Sequence, residues 1–228
     1  MCIRDSYKEA YGESPALDAV NASLQKFQDE TSLLLVDVQK GVNDTFYYGG
    51  PKGRRNNPLA ESNILKVLDR WRESNRKIAF TKHNSREKGS PLNLSLESGG
   101  QIEGIKPQER DIVVVKDVNS GFIGTSLELD LRRAGIQRLL VLGFFTNVCI
   151  ETTVRMSGNM GFDTYLVHDA CAAMNSIGHD GKDYDPELVH NMAIGNLHGE
   201  FCTAISVNDA LHLCEQDAEY LDRVQGNE

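Results

Sequence analysis

The chain has 228 residues, 40% of them hydrophobic and 25% charged, with a formal net charge of −9 and a pI near 5.2. That apolar fraction suits a buried core and argues against a disordered or fibrous chain. The negative balance denies the positive footprint that nucleic acid or an anionic membrane surface requires, so neither is expected as a partner. No run approaches the ~20 apolar residues of a membrane span. The first thirty residues mix charges throughout and lack a secretory apolar core. Five scattered cysteines, Cys2, Cys149, Cys171, Cys202 and Cys214, do not resemble a disulfide framework, which points to a reduced, cytoplasmic setting.

In chain order, residues Met1 to Ser6 fit nothing downstream and are set aside as a remnant outside the fold. Residues 1–30 read as an N-terminal extension, with Leu17, Val20, Leu24 and Phe27 at helical spacing between Pro15 and Asp29. From residue 31 to 228 the chain reads as one domain. Leu33 to Val36 is a continuous apolar run ending at Asp37, as expected of a strand buried on both faces. A Gly- and Asn-rich segment runs from Gly41 to Asn57, and Pro58 then opens a helix striped by Ile64, Leu65, Leu68 and Trp71. Lys77 to Thr81 predicts a second strand, and the Gly/Ser/Pro-rich stretch Ser85 to Pro107 a long loop. Ile112 to Val115 predicts a third strand ending at Lys116. Leu127, Leu131 and Ala134 mark a helix closed by Gly135. Leu139 to Leu142 is the fourth strand, reaching Gly143, and a helix from Cys149 to about Met160 should follow. Thr164 to Val167 is a fifth strand, a helix is striped by Leu188, Met192 and Leu197, and Phe201 to Val207 is a sixth strand. This alternation specifies an α/β fold with a parallel sheet covered by helices on both faces.

In such sheets, sites form beyond the C-terminal ends of strands. Three ends carry polar residues: Asp37, Lys116 and, shortly after the fourth strand, Cys149. Singly, each has a plain reading as a turn residue, a solvated end or a small core hydrophobe. Together they make a working unit. A Cys in a first helical turn beside a Lys ammonium is expected to favour its thiolate, and a carboxylate within reach can take the thiol proton and later activate water. Gly143 and Thr146–Asn147 suggest a tight turn where backbone N–H groups face a developing oxyanion.

The segments Leu33–Asp44, Val113–Ile136 and Leu139–Ala173 resemble the isochorismatase-like cysteine hydrolase superfamily, which includes nicotinamidase-related amidohydrolases. The set strand–Asp, strand–Lys and Gly-x-x-Thr-x-x-Cys carries the likeness. The resemblance implies a three-layer α/β/α fold with a six-stranded, Rossmann-like parallel sheet. It further implies Cys149 as nucleophile, Asp37 as general base and Lys116 as electrostatic partner. A cis peptide is implied at Phe144–Phe145, with the backbone N–H groups of Phe145 and Cys149 as the oxyanion hole. The activity implied is cleavage of an amide or carbamoyl C–N bond of a small molecule through a thioester. The alternatives are an ether or ester hydrolase on the same scaffold and a non-catalytic homologue that binds a metabolite or partner. The resemblance also implies a homodimer or homotetramer, with the Ser85–Pro107 loop as a candidate contact.

The nicotinamidase branch carries a metal site built on Asp-x-His and further histidines between the base and the Lys. Here that interval holds only His83 and no Asp-x-His, so neither metal nor cofactor is expected. His83, Asn119 and Phe122 follow their strands closely, and Phe144 lies beside the implied cis bond, which makes these four the candidate substrate contacts. Ser120 shares that position. Simple packing is the competing reading for Phe122 and Phe144. His168, His179, His190, His198 and His212 show no ligand spacing, and Arg54–Arg55 reads as a solvated pair. Dinucleotide, P-loop and nucleophile-elbow motifs are absent from the sequence.

Overall fold

A computed structural model describes residues 29–214, so the proposed N-terminal remnant and the helix of residues 15–29, all but its last residue, lie outside the described residues. The six long apolar runs become strands of one sheet. They are β1 (Thr31–Val36), β2 (Ile78–His83), β3 (Ile112–Lys116), β4 (Arg138–Phe144), β5 (Asp163–Ala172) and β8 (Thr203–Ile205), ordered β3-β2-β1-β4-β5-β8. All neighbouring pairs are parallel. β1 is buried along its whole length, as are Leu139 to Phe144 of β4, because helices cover both faces of the sheet centre.

The helices are α1 (Thr45–Gly49), α2 (Ala60–Glu73), α3 (Leu127–Arg133), α4 (Glu151–Asn159) and α5 (Pro186–Leu197), and residues 207–214 are also helical. α2 buries Ile64, Val67, Leu68 and Trp71 at helical spacing, and the Trp71 indole N–H donates to the Lys77 carbonyl at 2.9 Å. This bond ties the end of α2 to the start of β2. Gly135, at φ +75°, ends the α3 turn in the left-handed conformation its position requires.

Several local expectations need correction. Pro58 precedes the helix, which starts at Ala60. β2 runs on to His83, and β5 runs on to Ala172, five residues beyond the apolar run that marks it. β8 is confined to Thr203–Ile205. The stripe on α5 is mis-phased: Leu188 and Met192 are about half exposed, whereas His190, Ala193, Ile194 and Leu197 face inward. A two-stranded antiparallel pair, β6 (Ser176–Ile177) with β7 (Asp183–Tyr184), lies between β5 and α5 and had no apolar signal.

The residues 85–107 remain irregular apart from one short turn, Glu97–Gly99, but they are bound to their own chain. The Lys40 amide donates to the Gly100 carbonyl at 2.8 Å, and the Ile102 amide to the Val38 carbonyl at 3.2 Å. A Cβ on Gly41 would stand 2.2 Å from the Pro91 carbonyl oxygen, so glycine is required where this loop presses on the turn after β1. The loop thus walls the segment that follows Asp37. Among the described residues, no helix is long and apolar enough to cross a membrane.

Candidate active site

The parallel register sets the site. β1 lies between β2 and β4, pairing Val36 with Thr81 and with Gly143, and β2 pairs His83 with Lys116 of β3. The C-terminal ends of four adjacent strands therefore meet on one edge of the sheet, and the side chains just past them converge.

Asp37 leaves β1 with φ +52°, a left-handed residue for which Asp is among the tolerant types. Its amide donates to the Thr81 carbonyl at 3.3 Å and to Thr81 Oγ1 at 3.1 Å, while the Thr81 hydroxyl donates to Asp37 Oδ1 at 2.6 Å. The second carboxylate oxygen, Oδ2, accepts from Lys116 Nζ at 2.6 Å. Both side chains are buried, with 1% and 0% exposure. A buried pair of this kind is held by direct, short, charge-assisted hydrogen bonds, because solvent is not available to take either charge.

Lys116 is the hub. Besides Asp37, its ammonium meets His83 Nδ1 at 2.9 Å, the Val118 carbonyl at 3.1 Å and Cys149 Sγ at 3.3 Å. His83 is oriented from behind by the buried Gln39. Its side-chain oxygen accepts from the His83 amide at 2.7 Å, and its Nε2 donates to the carbonyls of His83 and Gly99. Burial and the neighbouring ammonium both push the imidazole below its ordinary value, which keeps it neutral and able to accept from Lys116 at Nδ1.

Cys149 reaches the site through β4. Gly143 has φ +128°, and a Cβ there would lie 2.1 Å from the Val36 carbonyl oxygen, so only glycine allows β4 to press this closely on β1. The Phe144–Phe145 peptide is cis, as the resemblance implied. A wide helical turn, Thr146–Ile150, then leads into α4, so Cys149 sits in the turn and not in the regular helix expected from residue 149. Turns of this width inside helices recur at functional positions. The buried Thr146 hydroxyl at its start is bonded to His190 Nδ1 of α5 at 2.8 Å. Burial holds the His190 imidazole neutral, with its pKa pushed down to about 4.

The sequence pattern favours a thiolate, and burial works against it. Burial, followed by the Asp37 carboxylate, drives the Cys149 thiol well above its ordinary value, and the Lys116 ammonium offsets only part of that. The balance favours the protonated thiol.

The four candidate contacts divide. Asn119 Oδ1 lies 3.9 Å from Sγ, and His83 Nδ1 4.0 Å from it, so both border the thiol. Phe144 is buried beneath the Arg55 guanidinium, 5.4 Å from its ring centroid. Phe122 belongs to the packing layer: it is buried and stacked on Phe162 at 6.0 Å, which gives it the packing alternative and not a place against the thiol. Ser120 likewise turns inward, its hydroxyl 2.8 Å from Met156 Sδ. Arg54 and Arg55 are both paired, Arg55 largely buried and Arg54 still partly exposed. Arg55 forms a two-pronged pair with Glu61 at 2.7 and 2.8 Å and bonds Asn43, and Arg54 pairs with Asp183 at 2.8 Å.

Sequence reasoning missed Tyr48. Its ring stands edge-on to Phe145 at 4.7 Å, and its phenol is pushed far up, chiefly by burial and in part by the Asp37 carboxylate. No periodicity marks it, because it sits in a short helix inside the Gly- and Asn-rich segment.

A cation has one natural seat here. Donor atoms of Asp37, His83 and Cys149 lie within 4.8 Å of one another, a spacing that suits a metal ion. The Lys116 ammonium already occupies that seat, at 2.6, 2.9 and 3.3 Å from the same three groups. A divalent ion brought beside it would meet strong like-charge repulsion in a buried setting.

A thiol, a carboxylate and an ammonium thus stand together at the carboxyl edge of a parallel α/β sheet, an arrangement chemically able to pass a proton between sulfur and carboxylate. The family model described as the isochorismatase domain matches residues 31–209, and the chain belongs to the isochorismatase family of hydrolases. It is 37% identical over 185 residues to the uncharacterized isochorismatase family protein YrdC of Bacillus subtilis, covering 81% of this chain and 96% of that protein. It is 30% identical over 160 residues to the ureidoacrylate amidohydrolase RutB of Klebsiella pneumoniae, covering 68% of this chain and 59% of that one. A Chromobacterium violaceum structure, described as an isochorismatase-family hydrolase, superposes with a TM-score of 0.77 at 33% identity, covering 84% of this chain and 96% of that one.

Proposed function

We propose that this hydrolase is a cysteine-dependent amidohydrolase that cleaves a C–N bond of a small amide or carbamoyl compound. The observation that carries the reading is the single ammonium, Lys116, in contact with both the Asp37 carboxylate and the Cys149 sulfur. This contact links the two groups between which a proton must pass. The 30% identity to an enzyme named as an amidohydrolase agrees with it.

The chemistry follows from the resting protonation. Because the thiol holds its proton, sulfur attacks as that proton moves to Asp37, with no free thiolate beforehand. The S–C bond forms, and the carbonyl oxygen becomes an oxyanion whose stabilisation we assign to the backbone N–H groups of Phe145 and Cys149. Lys116 stays charged throughout and stabilises first the carboxylate, then the negative sulfur. The protonated Asp37 gives its proton to the departing nitrogen, the C–N bond breaks, and a thioester remains. Water then adds to the thioester as Asp37 takes one of its protons. The C–S bond breaks, and the proton returns to sulfur as the acid product leaves. Thr81 holds the unused carboxylate oxygen by a 2.6 Å bond, which keeps Oδ2 turned toward Lys116.

The test is an ammonia-release screen over primary amides, ureas and carbamoyl compounds, run beside Cys149→Ala. Release by the wild type that Cys149→Ala abolishes is the expected result. Full turnover by the variant would remove the covalent step.

A further inference from the structure

We infer that Tyr48 reads the substrate: its hydroxyl donates to a second oxygen acceptor on the acyl compound, so that the site prefers small acyl compounds with a carbonyl or carboxylate beyond the one attacked. The inference rests on the thiol chemistry proposed above.

Three observations lead to it. The Tyr48 hydroxyl oxygen is shut off from solvent and, among the described residues, meets no hydrogen-bond partner at bonding geometry. Buried polar groups without partners are uncommon in native proteins, and each calls for an explanation such as a ligand or water that completes it. The position is also the right one. The ring packs edge-on against Phe145, whose amide is one of the two proposed oxyanion donors, and the phenol lies within the influence of the Asp37 carboxylate. An acyl group seated on Sγ therefore extends past Phe145 with this phenol close to its path.

The third observation is that the residue is held in place. Asp44 caps α1 by accepting from the Tyr47 amide at 2.9 Å, and the Tyr47 hydroxyl donates to Glu87 at 2.6 Å. At the other end the Gly49 carbonyl accepts from Asn175 Nδ2 at 3.2 Å, and the Asn175 side-chain oxygen stands 2.2 Å from where a Gly49 Cβ would be. A short helix pinned at both ends keeps its one inward aromatic fixed. That rigidity serves a group that must present a donor at a set place.

A hydroxyl is a donor of one proton, and the phenol stays neutral at every working pH because burial raises it further. The nearby cations are already engaged, Lys116 by Asp37 and Arg55 by Glu61. The neutral phenol donor is thus available to recognise an acceptor, alongside the Asn119 side chain that borders the thiol. Ser90, buried in the 85–107 loop, is close enough to this hydroxyl to lower its pKa as a hydrogen-bonding neighbour, although the two do not meet at full bonding geometry.

The test uses reversible aldehydes, whose carbonyl adds the Cys149 thiol to give a thiohemiacetal: a C–S bond forms, and the thiol proton passes to the carbonyl oxygen. Pentanal carries no second acceptor, whereas the methyl esters of 4-oxobutanoic and 5-oxopentanoic acid carry one. Binding is read as protection of Cys149 from iodoacetamide at pH 9, where alkylation is faster, followed by peptide mass. Tyr48→Phe, which removes only the oxygen, should weaken the better ester-aldehyde about tenfold, a loss of ~1.4 kcal/mol, leave pentanal within about twofold, and not lower the melting temperature. Equal weakening of all three aldehydes, or of none, overturns the inference, as does a lowered melting temperature without selective loss. If wild type binds none of the aldehydes at Cys149, the thiol reading itself fails, and the Tyr48 inference fails with it. If Cys149 binds pentanal and the esters alike in both proteins, only the Tyr48 inference fails.

Discussion

Replacing Lys116 by Met isolates the role of the buried ammonium, because Met keeps the stem length and the apolar contacts while removing the charge. In the wild type, Asp37 is 1% exposed, and its Oδ2 rests 2.6 Å from Lys116 Nζ. Without the ammonium, a carboxylate stays buried with only the Thr81 hydroxyl and its own surroundings to hold it. Breaking a buried pair from one side costs about 3–5 kcal/mol, most of it the penalty of the charge left behind. For a chain of 228 residues, each kcal/mol moves the melting temperature by ~2–4 °C, so Lys116→Met should melt roughly 6–20 °C lower at pH 7. The cause is separable from generic damage by a second change. Asp37→Asn in the Lys116→Met background removes the orphaned charge and should recover at least half of the lost stability, although activity stays absent. Differential scanning calorimetry on the four proteins of this cycle gives the coupling. A Lys116→Met protein as stable as wild type, or one that Asp37→Asn destabilises further, would refute the view that these two groups hold each other.

Further outcomes follow from other parts of the structure. Cys149 should react slowly with iodoacetamide at pH 7, its rate climbing about tenfold per pH unit through pH 9, since only the thiolate reacts and the thiol is pushed upward; a plateau reached near pH 7 would show a stabilised thiolate instead. His190 is held neutral with its pKa lowered from 6.5 to about 4, so the folded state gains from the neutral form above pH 6.5 and loses that gain as pH falls toward 4. The loss amounts to roughly 3 kcal/mol. Urea unfolding at pH 7 and pH 4.5 should show a steeper acid decline in wild type than in His190→Gln, and parallel declines would contradict the assignment. Gly143→Ala places a Cβ 2.1 Å from the Val36 carbonyl at φ +128°, so it should give insoluble or strongly destabilised protein; a soluble variant melting within a few degrees of wild type would mean that β1 and β4 can part.

How far the sequence could be read depended on whether burial was symmetrical or partnered at a distance. β1 and β4 were legible because both faces are covered, and both-sided burial writes an uninterrupted apolar run. The far half of β5 was not, since His168 and Asp169 interrupt it where the strand becomes half-buried. α5 misled for the opposite reason: Leu188 and Met192 are apolar but exposed, while the polar His190 turns inward to meet Thr146. A period taken from apolar residues alone inverts such a helix. Asp37, Lys116 and Cys149 could be found because each ends or follows a strand, a place where fold alone predicts convergence. Arg55 could not be read correctly, because its pairing with Glu61 and its seat over Phe144 depend on the path of a loop. Tyr48 was hidden the same way, in a five-residue helix with no stripe to read. The opposing influence on Cys149 was not legible, because helix position and a nearby lysine are visible in sequence, whereas the depth of burial is not.

The central claim is that sulfur becomes covalently joined to the substrate's acyl carbon, and its most direct measurement is the mass of the enzyme quenched in acid during turnover of an ammonia-releasing amide. The account predicts an added mass equal to the acyl group, located on the peptide containing Cys149 and removed by neutral hydroxylamine. Steady turnover with no adduct on that peptide, together with undiminished ammonia release by Cys149→Ser, would contradict it.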